Sequence, residues 1–130
     1  MPQGMIIGST FPLSLIRRPC EITPIRGDGA AYLNQVRSDI LQNGYEVASF
    51  WGHTNTLAAA KQFLGFDVTP RTERPSLVLN ENNLPVLEGI TTHFVYVVSP
   101  NYRPGFRPQI GVEVTSEEIL GWEVLVVYFF

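Results

Sequence analysis

Gly52-His53-Thr54-Asn55-Thr56 is the stretch whose residue types and spacing could do chemistry. It follows a β-type run, Tyr45 to Trp51, and precedes a helix-type run, Leu57 to Leu64, with Gly65 as its stop. A helix start offers unpaired N–H groups and the positive end of the helix dipole, so this junction suits an anion. Gly52 permits close backbone approach, and Thr54, Asn55 or Thr56 could cap the helix or donate to a phosphate oxygen. A histidine beside a bound phosphate is favoured in its protonated form, which is what a general acid requires. The same residues also fit a plain helix cap with His53 at the surface.

Ser9 and Thr10 follow another short β-type run, Met5-Ile6-Ile7. Ligands of α/β sheets sit at the C-terminal ends of strands, so these hydroxyls and His53 would face one pocket if the two runs are parallel neighbours. The alternative is a simple turn. A Pro-rich segment from Ser99 to Pro108 carries Tyr102, Arg103, Phe106 and Arg107, which could stack on a base and contact phosphate, or form a plain surface loop. His93 opens an aromatic β-type run and reads as structural. A zinc site from His53, His93 and Cys20 lacks ligand spacing and a fourth ligand, and no metal or other cofactor is expected. Gly27-x-Gly29 lacks the third glycine of a dinucleotide fingerprint, and Cys20 reads as a small buried hydrophobe.

The elements that must hold these residues follow from pattern. Asp28 caps a helix in which Leu33, Val36, Ile40 and Leu41 recur at helical spacing, and Gly44 ends it. Glu21 to Ile25 alternates but contains Pro24, which confines it to a sheet edge. Ser76 to Leu79 and His93 to Val98 read as strands, and Asn80 to Pro85 as a turn. Thr115-x-x-Glu118 has capping-box spacing and should open a short late helix. Trp122 to Phe130, almost wholly apolar, belongs inside the sheet or at a subunit interface. These elements predict one α/β domain over 1–130, with a mixed sheet of about five to six strands, two main helices and the short late helix.

Composition narrows the partners. With 130 residues, 45% hydrophobic and 16% charged, the chain can fill a core and is not a disordered type. The net charge of −3 disfavours duplex nucleic acid, so any anion must meet a local site. Eight of the nine basic residues are Arg, the better fork for phosphate, although codon bias gives the same count. No apolar run approaches the roughly 18 residues of a membrane-spanning helix. Arg17 and Arg18 follow the first apolar stretch rather than preceding it, the wrong order for a secretory signal. With a single cysteine, the default expectation is the cytoplasm, or a host's cytoplasm for a viral chain.

Gly-His-x-[Ser/Thr/Asn]-Thr followed by a helix ending in Leu-Gly, here Gly52 to Gly65, resembles the signature of the viral ring nucleases that act as type III anti-CRISPR proteins. Ile7 to Ile16 is similar to that family's opening strand and Asn-Ala-Phe-Ser segment, although Pro12 stands where the family has a serine. Arg74 or Arg71, ahead of Ser76 to Leu79, matches its basic residue before a strand. Thr115 to Leu120 and Trp122 to Phe130 match its closing elements. The resemblance implies a homodimer that binds cyclic tetra-adenylate and cuts it without metal. It puts the catalytic histidine on His53 and a phosphate-contacting side chain on Asn55 or Thr56. The late basic residue falls on Arg107 or Arg103, with Glu113 nearest to its acidic companion.

The inventory suits this chemistry independently. A ribonucleotide carries its own nucleophile, the 2′-hydroxyl, so a protein need only align it with phosphorus and protonate the departing 5′-oxygen. One histidine and one arginine suffice. A non-catalytic protein that sequesters a cyclic oligonucleotide or a partner protein is the alternative from another class.

Overall fold

Met5, Ile6 and Ile7 are completely buried, which requires apolar layers on both faces of the strand that contains them. A computed structural model describes residues 3–17 and 19–130; Arg18, one of the two arginines weighed against a signal sequence, lies outside them. Strand β1 (Gly4–Gly8) lies between β3 (Glu46–Ser49) and β7 (Phe94–Tyr102) and is parallel to both. β7 pairs antiparallel with β8 (Ile119–Tyr128), and β8 with the edge strand β2 (Glu21–Pro24). The sheet order is β2-β8-β7-β1-β3, so β8 is interior and the Pro24 strand is at an edge, as predicted.

Alternation along the strands divides the core. Met5, Ile7, Tyr96, Val98, Val124 and Val126 face α1 (Gly29–Gln42) and α2 (Leu57–Leu64), meeting Leu33, Ala60 and Leu64. Ile6, Ala48, Val95, Val97 and Val127 face the other way, onto Leu77, Leu84, Leu87 and Ile90. The second layer is a three-stranded antiparallel sheet of β4 (Val78–Leu79), β5 (Pro85–Leu87) and β6 (Ile90–Thr91). The protein is therefore one α/β domain with three layers.

Local signals act as predicted. The Asp28 carboxylate accepts from the Ala31 N–H at 2.9 Å and starts α1. Gly44 and Gly65, at φ +77° and +81°, end the two helices. No helix among the described residues is long and apolar enough to cross a membrane.

The mixed sheet has five strands, within the predicted five to six; the three-stranded sheet is an addition, and its β5–β6 hairpin turns on Glu88 and Gly89, both at positive φ. Three expectations change. The strand expected from Ser76 shrinks to Val78–Leu79 and joins that sheet. The capping box yields only a 3₁₀ turn, Ser116–Glu118, in which the Thr115 side chain makes no capping bond, because β8 pairing takes over at Ile119. The Ser99 to Pro108 loop gives Ser99 to Tyr102 to β7, paired with Glu123, Trp122, Gly121 and Ile119. β1 stops at Gly8, opposite Val97, so the far half of β7 has a free side that tolerates Pro100.

At Gly8 the backbone passes so close to Phe50 that a Cβ would sit 2.4 Å from its ring. Gly8→Ala is expected to destabilise the fold by about 1–3 kcal/mol through overpacking. Urea unfolding against wild type measures it.

Candidate functional site

The parallel pairing of β1 and β3 leaves their C-terminal ends side by side, the condition under which Ser9, Thr10 and His53 share a site. Thr10 Oγ1 lies 3.4 Å from His53 Nε2, although 43 residues separate them. Both residues are exposed.

The backbone of His53 is fixed from below. Ser49 donates its hydroxyl to the Val68 carbonyl and accepts from the Trp51 N–H, which turns the chain out of β3. Trp51 is 1% exposed, so its indole N–H needs a partner inside the protein. It donates to the His53 carbonyl at 3.0 Å and to Thr56 Oγ1 at 3.1 Å. Thr56 Oγ1 donates in turn to the same carbonyl at 2.9 Å, and the Thr56 N–H adds a bond of 3.0 Å. On the other side of the histidine, the Gly52 N–H donates to Ser9 Oγ at 3.2 Å.

This network redistributes the predicted anion donors. Thr56 is 1% exposed and its hydroxyl is committed to the interior, so it cannot reach a ligand in this arrangement. Ser9 is 5% exposed and acts as a strut: its hydroxyl holds Gly52 and its carbonyl accepts from the Ser99 hydroxyl. Gly52 spends its N–H on Ser9. The junction is a 3₁₀ turn, Thr54–Thr56, leading into α2 without a side-chain cap.

Thr54 and Asn55 remain open. With Gly52 and His53 they line one wall of a groove of about 370 Å³, opposite Pro108, Gln109, Ile110 and Gly111. A bond from the Val114 N–H to the Asn55 carbonyl, 2.8 Å, ties the two walls together. Past Asn55 a second hollow of about 390 Å³ runs along α2 to Lys61, Thr69 and Glu113. Lys61 pairs with Asp67 at 3.8 Å. Hydrogen bonds from the hydroxyl and N–H of Thr69 are the main reason that the Asp67 carboxyl is held below its ordinary range.

The predicted arginines do not line this groove. Arg107 directly precedes the wall residue Pro108, and Arg103 follows β7, its N–H bonded to the Glu118 carbonyl; both side chains are exposed. Arg74 is exposed in the connector before β4. Arg71, its alternative, pairs with Glu46 and Glu88 at 3.5 and 3.6 Å, near the start of β3 and so away from His53. Tyr102 and Phe106 pack on each other, with ring centroids 5.4 Å apart. Cys20 is half-buried against the second core. His93 precedes β7 at the opposite end of the sheet, so the three residues weighed for zinc do not meet.

Sequence reasoning missed the part played by Trp51. A tryptophan at the end of a strand, with a threonine five residues on, is the signal that could have pointed to it. Thr56→Val is expected to cost about 1–3 kcal/mol, because it leaves the indole N–H short of a partner, whereas Thr56→Ser should stay within about 1 kcal/mol. Urea titration of both variants distinguishes them. The chain matches no family model and no curated protein, so a functional assignment rests on this geometry.

Proposed function

We propose that this protein is a metal-independent ring nuclease that opens cyclic tetra-adenylate and so suppresses type III CRISPR signalling. The observation that carries the reading is His53 beside Thr10 on adjacent parallel strand ends, above a groove of ribonucleotide size. In this mechanism the substrate's own 2′-hydroxyl gives its proton to solvent water and attacks phosphorus, forming the new P–O bond of a 2′,3′-cyclic phosphate. The 5′-oxygen leaves and takes its proton from His53. Thr10 orients the imidazole, while Thr54 and Asn55 hold phosphate oxygens. Arg107 or Arg103 supplies positive charge to the phosphorane.

A two-fold dimer fits this reading. Lys61 and Glu113 are the charged residues lining the two hollows on one chain, too few cations for four phosphates. Ile110, on the groove wall, is fully exposed, and a second chain would cover it while bringing a second set of arginines. Sequestration without cleavage is the second reading, favoured by the absence of both late arginines from the groove lining.

Cleavage of cyclic tetra-adenylate should persist in EDTA and give linear products ending in 2′,3′-cyclic phosphate, read by mass spectrometry; loss of activity or a 5′-phosphate product would point to a metal-bound water. His53→Ala should lower single-turnover cleavage by about 10²-fold or more and leave affinity within a few-fold. Tight binding without cleavage by the wild type would establish sequestration instead. Light scattering should give twice 14.6 kDa.

A further inference from the structure

At the end of the sheet opposite His53, where β7 begins, lies a separate cavity of about 300 Å³. Ile40 of α1, Thr91, Thr92, His93, Phe94 and Tyr96 line most of it, and among the described residues no Asp, Glu, Lys or Arg does. That lining suits a neutral ligand and offers a phosphate no Lys or Arg counter-charge. The volume is at the lower end of the roughly 300–1,000 Å³ of small-molecule pockets, which sets the occupant at base or nucleoside size.

Two polar groups in the lining are fixed in complementary roles. Tyr96 is 8% exposed, and among the described residues its hydroxyl has no hydrogen-bond partner. The ring is buried but the hydroxyl oxygen itself is not, so it opens on the cavity and is free to donate to a ligand acceptor. Burial first, and nearby Tyr32 second, push its phenol up to about 12, so it remains a donor throughout the physiological range. His93 Nδ1 lies 2.7 Å from the Phe129 carbonyl, which can only accept, so that nitrogen carries the proton. In the neutral ring the remaining nitrogen, Nε2, is then an acceptor.

Flat surface is also available. Phe94, 40% exposed, stacks on Tyr96 with centroids 6.4 Å apart and packs against Tyr128 at 5.0 Å. Ile40 adds an apolar wall. A planar ring that inserts here covers the aromatic surface of Phe94 and presents an edge to the donor and the acceptor.

We propose that this cavity is a second ligand site, distinct from the His53 groove, for a neutral nucleobase or nucleoside with an amino group beside a ring nitrogen. Adenine and cytosine have that edge: the amino group donates to His93 Nε2 and the ring nitrogen accepts from the Tyr96 hydroxyl. Hypoxanthine and uracil present the reverse order, an N–H beside a carbonyl, and would set donor against donor and acceptor against acceptor.

The test is an NMR titration of the full chain with adenosine and cytidine, and with inosine and uridine as the reversed pair. Adenosine or cytidine should shift the amides of Thr91 to Tyr96 saturably and leave Gly52 to Asn55 unmoved. Inosine and uridine should bind at least about tenfold more weakly, the scale of a mismatched buried hydrogen bond. Tyr96→Phe keeps the ring and removes the hydroxyl, and should weaken adenosine by about tenfold; His53→Ala should change nothing. Equal binding of adenosine and inosine overturns the proposal, as do shifts centred on Gly52 to Asn55 or no saturable shift up to about 10 mM. The comparison of nucleosides on the wild-type chain holds even if Tyr96→Phe proves unstable. Because the His53 groove lies at the other end of the sheet, failure here leaves the nuclease reading intact, and the reverse is also true.

Discussion

Everything in this molecule depends on a strand that is parallel to both of its neighbours and buried on both faces. The three fully buried side chains of β1 each contribute about 1.5–3 kcal/mol only if an apolar layer closes each side. The helices supply one layer and the small antiparallel sheet the other. Parallel pairing imposes long crossovers: α1 lies in the connection from β1 to β3, and α2 with the three-stranded sheet fills the connection from β3 to β7. The chain segments that cover the core are therefore the same ones that parallel topology demands. Three strand ends point the same way as a result, and residues distant in sequence meet at one edge.

At that edge the needs of the core determine the position of the histidine. Burying Trp51 brings an indole N–H into the interior, where an unpaired donor would cost about 1–3 kcal/mol. The solution uses the carbonyl of His53 and the hydroxyl of Thr56, so the group that satisfies the core also sets the backbone that presents the imidazole. No buried side-chain nitrogen or oxygen among the described residues lacks a partner. Fixing the histidine backbone costs the fold little, because one set of bonds also satisfies the buried indole.

Features decided by neighbouring residues were legible in the sequence. Asp28 at the start of α1, Gly44 and Gly65 at the helix ends, and Pro24 on an edge strand each act through the backbone within a few residues. The meeting of Thr10 with His53 was legible as a conditional, since it needs only that two short apolar runs pair in parallel. What was not legible depends on distant partners. Thr115 and Glu118 have the spacing of a helix start, but the ladder between β7 and β8 extends to Ile119 and draws the chain into a strand. The same ladder carries Pro100 into β7. The β5–β6 hairpin was hidden because its strands are two and three residues long and its turn places Glu88, a residue with a side chain, at positive φ. Thr56 looked like an open donor only because nothing local says which way an indole will point.

The charge pattern sets the groove wall apart from its floor. The lining of the two hollows has one cation, Lys61, leaning on Asp67, and one anion, Glu113, so on one chain the floor is close to neutral. Two arginines, Arg103 and Arg107, lie instead in the segment that continues into the opposite wall. Two backbone bonds bound that segment, from the Arg103 N–H to the Glu118 carbonyl and from the Val114 N–H to the Asn55 carbonyl. Between them Arg107 is exposed, while its neighbour Pro108 lines the wall. On the proposed reading, an anion in the groove meets hydroxyl, amide and imidazole donors first, and arginine only when the wall segment or a second chain brings it in. On the same reading the charge for the phosphorane comes from the exposed wall segment, while the hydrogen-bonded junction anchored on Trp51 holds the proposed acid in line.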